Sequence, residues 1–471
     1  MIPSRKRKFS PDRVALPDPA PATKVETVDT SNHLHIPELE YFNEDLYQHA
    51  ILRSFKREFQ PISALATGAP IDFVVPAAPH LYILPNRSYL RVRVVIENPA
   101  TNRAILETDL VAPCNLTFDS LFSDLIVELG GKVLNSNGNG LYAYRAYIET
   151  LFGLNDISEF SILQASGWYR DIASEINNHI PSVHVTEPRN RVLVNRRQLF
   201  AAGRQCDLFG RPHHDLFHAP IALPSNIGLK LRLLPSASSF VLQTPAPDAD
   251  HPQVPFRMAI KEAVLVMHTW EIAPAVEEAH IQMLAIRNIR FPLKQMEMRM
   301  LTIPPGHTSC NFERVFNGAI PERIVLFLVS QQAIDGHYQE NPFNLHHHNL
   351  NLLCVYLNGI SILEEPLRPD FRHNGRDVVK CFIGLNEAIY SLFKNKAVPI
   401  SLHEFSNGFT IFAFDLTLDG SAGCIPSPTR EGGLRIQLGF AEAPTHTLSL
   451  IVLGDRRVFC EIDRFGQVIV I

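Results

Sequence analysis

Charge is scarce in this sequence: Asp, Glu, Lys and Arg make up 19% of 471 residues, against roughly 25% in ordinary soluble chains. Little charged surface is available to cover a body of this size, which points to a subunit that buries area against partners. An excess of positive charge is missing too. The formal net charge is −5, so no broad basic face exists to neutralise a nucleic-acid backbone, and genome binding by the whole surface is excluded. The cysteines, at 114, 206, 310, 354, 381, 424 and 460, are odd in number and include no CxxC pair. That excludes a disulfide scaffold and predicts free, buried thiols in a reducing compartment. No stretch approaches the roughly 18 uncharged apolar residues of a membrane span, and the opening residues up to Asp12 are polar and basic, so neither a span nor a signal peptide is expected. GxSxG, GxxxxGK[ST] and HExxH are absent, as is a glycine-rich phosphate loop at a strand-helix junction. The local signatures of the common hydrolases and nucleotide-binding enzymes are thereby removed, although a triad assembled from distant residues would leave no such trace.

What is present is length, proline and short apolar runs. A chain of 471 residues allows two or three domains, each able to bury its own core. The 35 prolines fall mostly between apolar runs, as turns between many strands require. Residues 1–35 are polar and proline-rich, a composition that cannot bury enough surface to order itself, and are read as a mobile arm. The arm carries Arg5, Lys6, Arg7 and Lys8. This tetrad has two readings: a nuclear-import signal or weak contact with a packaged genome, and a solvated tail. Residues 36–64 are read as a connecting segment.

From about residue 70 the pattern is that of strands. In Tyr89-Leu90-Arg91-Val92-Arg93-Val94-Val95-Ile96 the arginines fall on one face and Leu90, Val92 and Val94 on the other, the period of a half-buried strand. Helical spacing is confined to residues 141–151 and 274–286, the second opened by Pro274. The chain also repeats itself. A strand, a Gly130-Gly131 turn and a second strand are matched by a strand, an Asn358-Gly359 turn and a second strand. Gly228-Leu229-Lys230-Leu231-Arg232-Leu233 is matched by Gly433-Leu434-Arg435-Ile436-Gln437-Leu438, each followed by another apolar run, at residues 263–267 and 448–453. The shorter separation of the second pair implies longer insertions in the first copy. The expected fold is therefore all-β: two tandem two-sheet sandwiches, residues 65–273 and 287–471, joined by a linker helix at 274–286, with a few inserted short helices.

Several phrases carry more than periodicity. They include Pro70-Ile71-Asp72-Phe73-Val74-Val75, the hairpin from Leu121-Phe122-Ser123 to Gly131, the run from Tyr142 to Leu151, and Trp168-Tyr169-Arg170-Asp171. The second half adds Pro321-Glu322-Arg323-Ile324-Val325, Asn341-Pro342-Phe343-Asn344, the run from Gly408 to Thr417, and Glu461-Ile462-Asp463. In content and order, over about residues 65–465, these resemble the capsid-like proteins of Polinton (Maverick) and adintovirus-type double-stranded DNA elements. The resemblance implies that each sandwich is a jelly roll and that the chain is a double jelly-roll major capsid protein. Three copies would form a pseudo-hexameric homotrimer in an icosahedral virion shell, in contact with neighbouring capsomers and a minor, penton-type capsid protein, with assembly in the host nucleus open. It implies no enzyme, cofactor or active-site residue. Gly454-Asp455-Arg456-Arg457 departs from the family pattern and is expected to alter only a local surface contact. The alternatives are a cupin-like metal- or ligand-binding jelly roll, and a host-retained capsid copy with a binding role.

Three clusters offer chemistry. His346-His347-His348 contains an HxH pair, but a cupin site needs a carboxylate a few residues on, where Asn349 to Leu353 stand instead. A strand-entry cluster without metal is expected. His213, His214, Asp215 and His218 offer ligands at short spacing, yet Leu208, Phe209, Leu216 and Phe217 around them read as a packed, metal-free loop. Tyr142, Tyr144 and Tyr147 beside Arg145 would suit base stacking, but Tyr144, Tyr147 and Leu151 recur at helical spacing, so a core or subunit contact is expected. The doubly apolar run from Ile324 to Val329 is expected to be buried between layers or under a neighbouring subunit.

Overall fold

The alternating run around Val92 lies inside one 18-residue strand, Leu81–Asn98, with Leu90, Val92 and Val94 buried. Outward-facing Arg93 pairs with Asp207 and Glu262 of the two flanking strands. Each such buried aliphatic side chain contributes about 1.5–3 kcal/mol, so alternation settles which face turns inward. The computed structural model describes residues 48–470 apart from 102, 136–139, 154–161, 174, 177–190, 248–253, 317, 373–374, 390–396 and 421–427. The arm, including Arg5, Lys6, Arg7 and Lys8, lies outside the described residues, as does Cys424. The six cysteines within them are free. No described helix is long and apolar enough to cross a membrane.

The first half contains β1 (Ile51–Phe59), β2 (Ile71–Val75), β3 (Leu81–Asn98), β4 (Arg103–Ala104), β5 (Ala112–Pro113), β6 (Phe122–Leu129), β7 (Lys132–Asn135), β8 (Cys206–Gly210), β9 (Leu229–Pro235), β10 (Leu242–Gln243) and β11 (Arg257–Ile272). One sheet runs β1-β11-β3-β4 with β8 also on β3, and a second runs β2-β9-β6-β7. The second half contains β12 (Ile289–Ile303), β13 (Ser309–Phe312), β14 (Arg323–Ser330), β15 (Leu350–Leu357), β16 (Ile360–Ser361), β17 (Phe412–Asp415), β18 (Leu434–Phe440), β19 (Leu448–Ile462) and β20 (Val468–Val470). Its sheets run β12-β19-β14-β17, with β20 on β19, and β13-β18-β15-β16.

The two pairing orders are the same. β1, β11, β3 and β8 correspond to β12, β19, β14 and β17, and β2, β9, β6 and β7 correspond to β13, β18, β15 and β16. The matched sequence phrases thus occupy matched strands. Both hairpin turns sit at equivalent places, with φ of 56° and 81° at Gly130 and Gly131 and of 52° and 82° at Asn358 and Gly359, the double positive φ of the turn that fits strand twist.

Strand pairing changes one reading of the sequence. Part of segment 36–64, read as connecting, is the edge strand β1, paired along β11. Its alternation is obscured because an edge strand buries little: Arg53, Lys56 and the like face solvent while Phe55 and Phe59 are only half-buried. The expected helices form at Tyr142–Gly153 and Pro274–Leu284. The second carries proline in its first turn and buries Glu277, whose carboxylate accepts from the His80 amide and the Ser225 hydroxyl.

Candidate functional site

Four of the phrases singled out in the sequence meet between the two sandwiches. The helix Tyr142–Gly153 buries Tyr142, Tyr144, Arg145 and Tyr147 to about 1% exposure each, which leaves no open ring face for a base. Tyr147 stacks on Phe343 of the second half, with ring centroids 4.3 Å apart and planes within 4°, and its other neighbour is Trp168 at 5.4 Å. Tyr144 reaches Phe327 on β14 and Phe343, so the doubly apolar strand is buried between layers. Asp171 holds the guanidinium of the fully buried Arg196 at 2.6 Å and accepts from Asn341 at 3.0 Å. Arg170 pairs with Glu404 and lies over the Phe409 ring. One contiguous apolar core consequently runs through both halves.

Beside this seam is a cavity of about 880 Å³, lined from the first half by Arg145, Glu149, His213 and His218 and from the second by Lys294, Met296, Arg323 and Asp455. Arg145 donates to Glu149 at 2.9 Å, one helical turn along, and to Asp215 at 2.6 Å. Asp215 also accepts from the Met296 amide on β12 at 3.3 Å. Burial opposes ionisation of Glu149, yet the Arg145 guanidinium and two histidines overcome it and hold the carboxyl well below the usual range. Burial drives His218 down. Asp119, accepting from the Tyr142 hydroxyl at 2.9 Å, is pushed up by burial to about 6.

Asp455 corrects an expectation. The Gly454-Asp455-Arg456-Arg457 segment alters more than a local surface contact, because Asp455 is buried and pairs with Lys294 and Arg323. Burial opposes its ionisation, and the two cations outweigh it and lower its pKa. A buried carboxylate needs such partners, and β12 and β14 supply them only once both are paired with β19.

The histidine groups divide. His213 and His218 come together, joined by Glu149, a residue the sequence did not single out. These three place ligand-capable atoms within 4.8 Å of one another. His214 and Asp215 are drawn elsewhere: the His214 ring accepts from the Leu216 amide at the start of a short helix, and Asp215 faces Arg145. In the other cluster, Nδ1 of His346 and of His347 accept the amides of His348 and Asn349, and His347 stacks on Phe371 at 4.2 Å. Burial pushes His347 and His348 down to about 3, which keeps this turn uncharged.

No family model matches the chain. A protein of Caenorhabditis elegans, described as uncharacterized, is 22% identical over 408 residues, covering 83% of this chain and 91% of its own length. Among solved structures, the Sputnik virophage matches 93% of this chain and 92% of its own with a TM-score of 0.57 at 11% identity. The Faustovirus major capsid protein matches 91% and 92% with a TM-score of 0.56 at 11% identity. The mavirus major capsid protein matches 96% of both chains with a TM-score of 0.53 at 11% identity. The fold is a double jelly roll. Each half is one roll, and the seam joins them into a single body; at these identities the likeness concerns architecture rather than any particular residue.

Proposed function

We propose that this double jelly roll is a viral major capsid protein whose activity is self-association rather than catalysis. The single observation that carries the reading is the buried seam, since the two rolls share one core in a chain whose fold matches the Faustovirus and mavirus major capsid proteins over nearly its whole length. Three such chains close into a six-sided unit by cyclic, heterologous contacts, which leave no surface unpaired within the ring. Supporting this, large apolar side chains stand exposed at Leu52, Ile281, Ile286, Ile360 and Phe465, and the charged fraction is low. Obligate interfaces bury on the order of 2,000–5,000 Å² and use such surface.

The finer parts of the reading are an icosahedral shell with a minor penton-type partner, membership among Polinton-type elements, residues 65–273 and 287–471 as the two rolls extended by β1, and Arg5, Lys6, Arg7 and Lys8 as an import or genome-contact arm. A relative in a nematode supports the Polinton assignment, because such elements are integrated in animal genomes, and it equally supports a host-retained copy. Light scattering of the purified chain should give about three times its 53.0 kDa mass, and electron microscopy should show six-sided particles. A stable monomer at micromolar concentration overturns the capsid reading. A trimer that never assembles further favours the host-retained copy.

A further inference from the structure

Shell building has no evident use for two imidazoles and a carboxylate converging on a cavity wall. His213 Nδ1 lies 2.7 Å and His218 Nε2 3.2 Å from the same atom, Oε2 of Glu149. The two ring centroids are 5.6 Å apart and their planes are inclined at 51°. The other carboxylate oxygen, Oε1, is held by Arg145, so Oε2 is left to face the histidines. The far nitrogen of His213 lies 3.4 Å from the Thr150 hydroxyl, and the Tyr142 hydroxyl takes the His213 amide. The His213 ring thus has a hydroxyl behind it, as metal-ligating histidines commonly do.

We propose that Glu149, His213 and His218 form a three-ligand site for a divalent transition-metal ion, zinc fitting the donor set best, with the fourth position open to the cavity. Two nitrogens and one carboxylate oxygen are a recurrent zinc set in which water fills the remaining place. Ligand bonds of about 2.0–2.2 Å in a tetrahedron separate donor atoms by roughly 3.3 Å, so the His213 and His218 nitrogens, 2.7 and 3.2 Å from Glu149 Oε2, need to move away from it by less than about an ångström. The cavity of about 880 Å³ beside them has room for the water. The apolar neighbours of this loop read as a packed, metal-free segment, and the third donor, Glu149, lies some sixty residues upstream on the helix Tyr142–Gly153. Zinc would clamp that helix to the loop following β8, on the first roll's side of the seam.

The test uses the full chain without a polyhistidine tag, dialysed against chelator and titrated with zinc chloride, with bound metal counted by mass spectrometry and the melting temperature followed alongside. One zinc per chain at micromolar or tighter affinity is expected, together with a rise in melting temperature. In His213→Gln and His218→Gln the affinity should fall at least tenfold, whereas His347→Gln should bind as the native chain does. Should the glutamine variants fail to fold, cobalt added to the native chain still decides: intense visible absorption of a four-coordinate ion supports the site, and its absence overturns it. No zinc at micromolar free metal, undiminished binding in both glutamine variants, or loss of binding in His347→Gln would each overturn it too. None of these outcomes depends on whether the chain trimerises.

Discussion

Asn341 Nδ2, from the second jelly roll, donates at 3.0 Å to Oδ2 of Asp171 in the first, whose other oxygen holds Arg196 at 2.6 Å. The carboxylate therefore neutralises a cation with no solvent exposure and spans the seam at once. Arg196 has two further acceptors, the carbonyls of Pro113 and Tyr169, but neither carries a full charge. Asp171→Ala should cost about 3–5 kcal/mol, the penalty of leaving a buried charge uncompensated, measured by denaturant unfolding. A loss below about 1 kcal/mol would show that the carbonyls suffice.

The stacked pair Tyr147 and Phe343 should behave as one unit. Phe343→Ala is expected to destabilise by about 3–5 kcal/mol, and a double-mutant cycle with Tyr147→Leu should return a coupling of about 0.5–1.5 kcal/mol. Strict additivity would mean that the rings fill space without a specific interaction.

Two adjacent glycines should differ sharply. Both have positive φ, but a methyl group on Gly130 would meet the Gly466 carbonyl oxygen at 2.1 Å, whereas one on Gly131 meets nothing within 4 Å. Gly131→Ala should cost only the roughly 1–2 kcal/mol of a left-handed residue. Gly130→Ala must also displace the turn at the end of the second roll, so its melting temperature should fall much further; equal effects would argue that this turn yields freely.

Asp119 predicts a pH-dependent gain. Its folded-state pKa, raised by burial to about 6 from 3.8, makes ionisation costlier in the fold than in the unfolded chain. The cost is absent below about pH 4, grows up to about pH 6 and is constant above. Asp119→Asn keeps an acceptor for the Tyr142 hydroxyl and removes the charge. It should stabilise by up to about 3 kcal/mol at pH 7.5, at about 1.4 kcal/mol per pH unit, and by nothing near pH 3.5. The same gain at both pH values would show that burial does not raise the Asp119 pKa above its unfolded value.

For the arm, replacing Arg5, Lys6, Arg7 and Lys8 with alanine should leave a fluorescent fusion in the cytoplasm while the native chain enters the nucleus. Undiminished nuclear entry rules out the import role.

Much of the architecture was legible because strand period, turn chemistry and helix starts are local properties. Gly130-Gly131 and Asn358-Gly359 mark hairpins whichever strands lie beyond, and Leu90, Val92 and Val94 turn inward because Arg91 and Arg93 cannot. Pro274 similarly begins a helix without help from its neighbours. β1 escaped notice since its partner β11 lies some two hundred residues away and the edge position weakens its own alternation. The order of strands within each half, and with it the jelly roll, came from resemblance rather than from spacing.

What the sequence alone determined is the number of halves, their repeated hairpins and the face of each strong strand. Only the tertiary structure decided which distant groups share a space. His213 and His218 were visible as a pair, but His214 turned to cap a helix and Asp215 to meet Arg145, while Glu149 arrived from the helix Tyr142–Gly153 to complete the cluster. Asp455, read as a surface residue, was drawn inward by Arg323 and Lys294. For Asp215, Glu149 and Asp455 the physical reason is the same: folding brings groups separated by tens to hundreds of residues within about 3 Å, a range at which a buried charge must find its opposite, and linear spacing carries no record of that meeting.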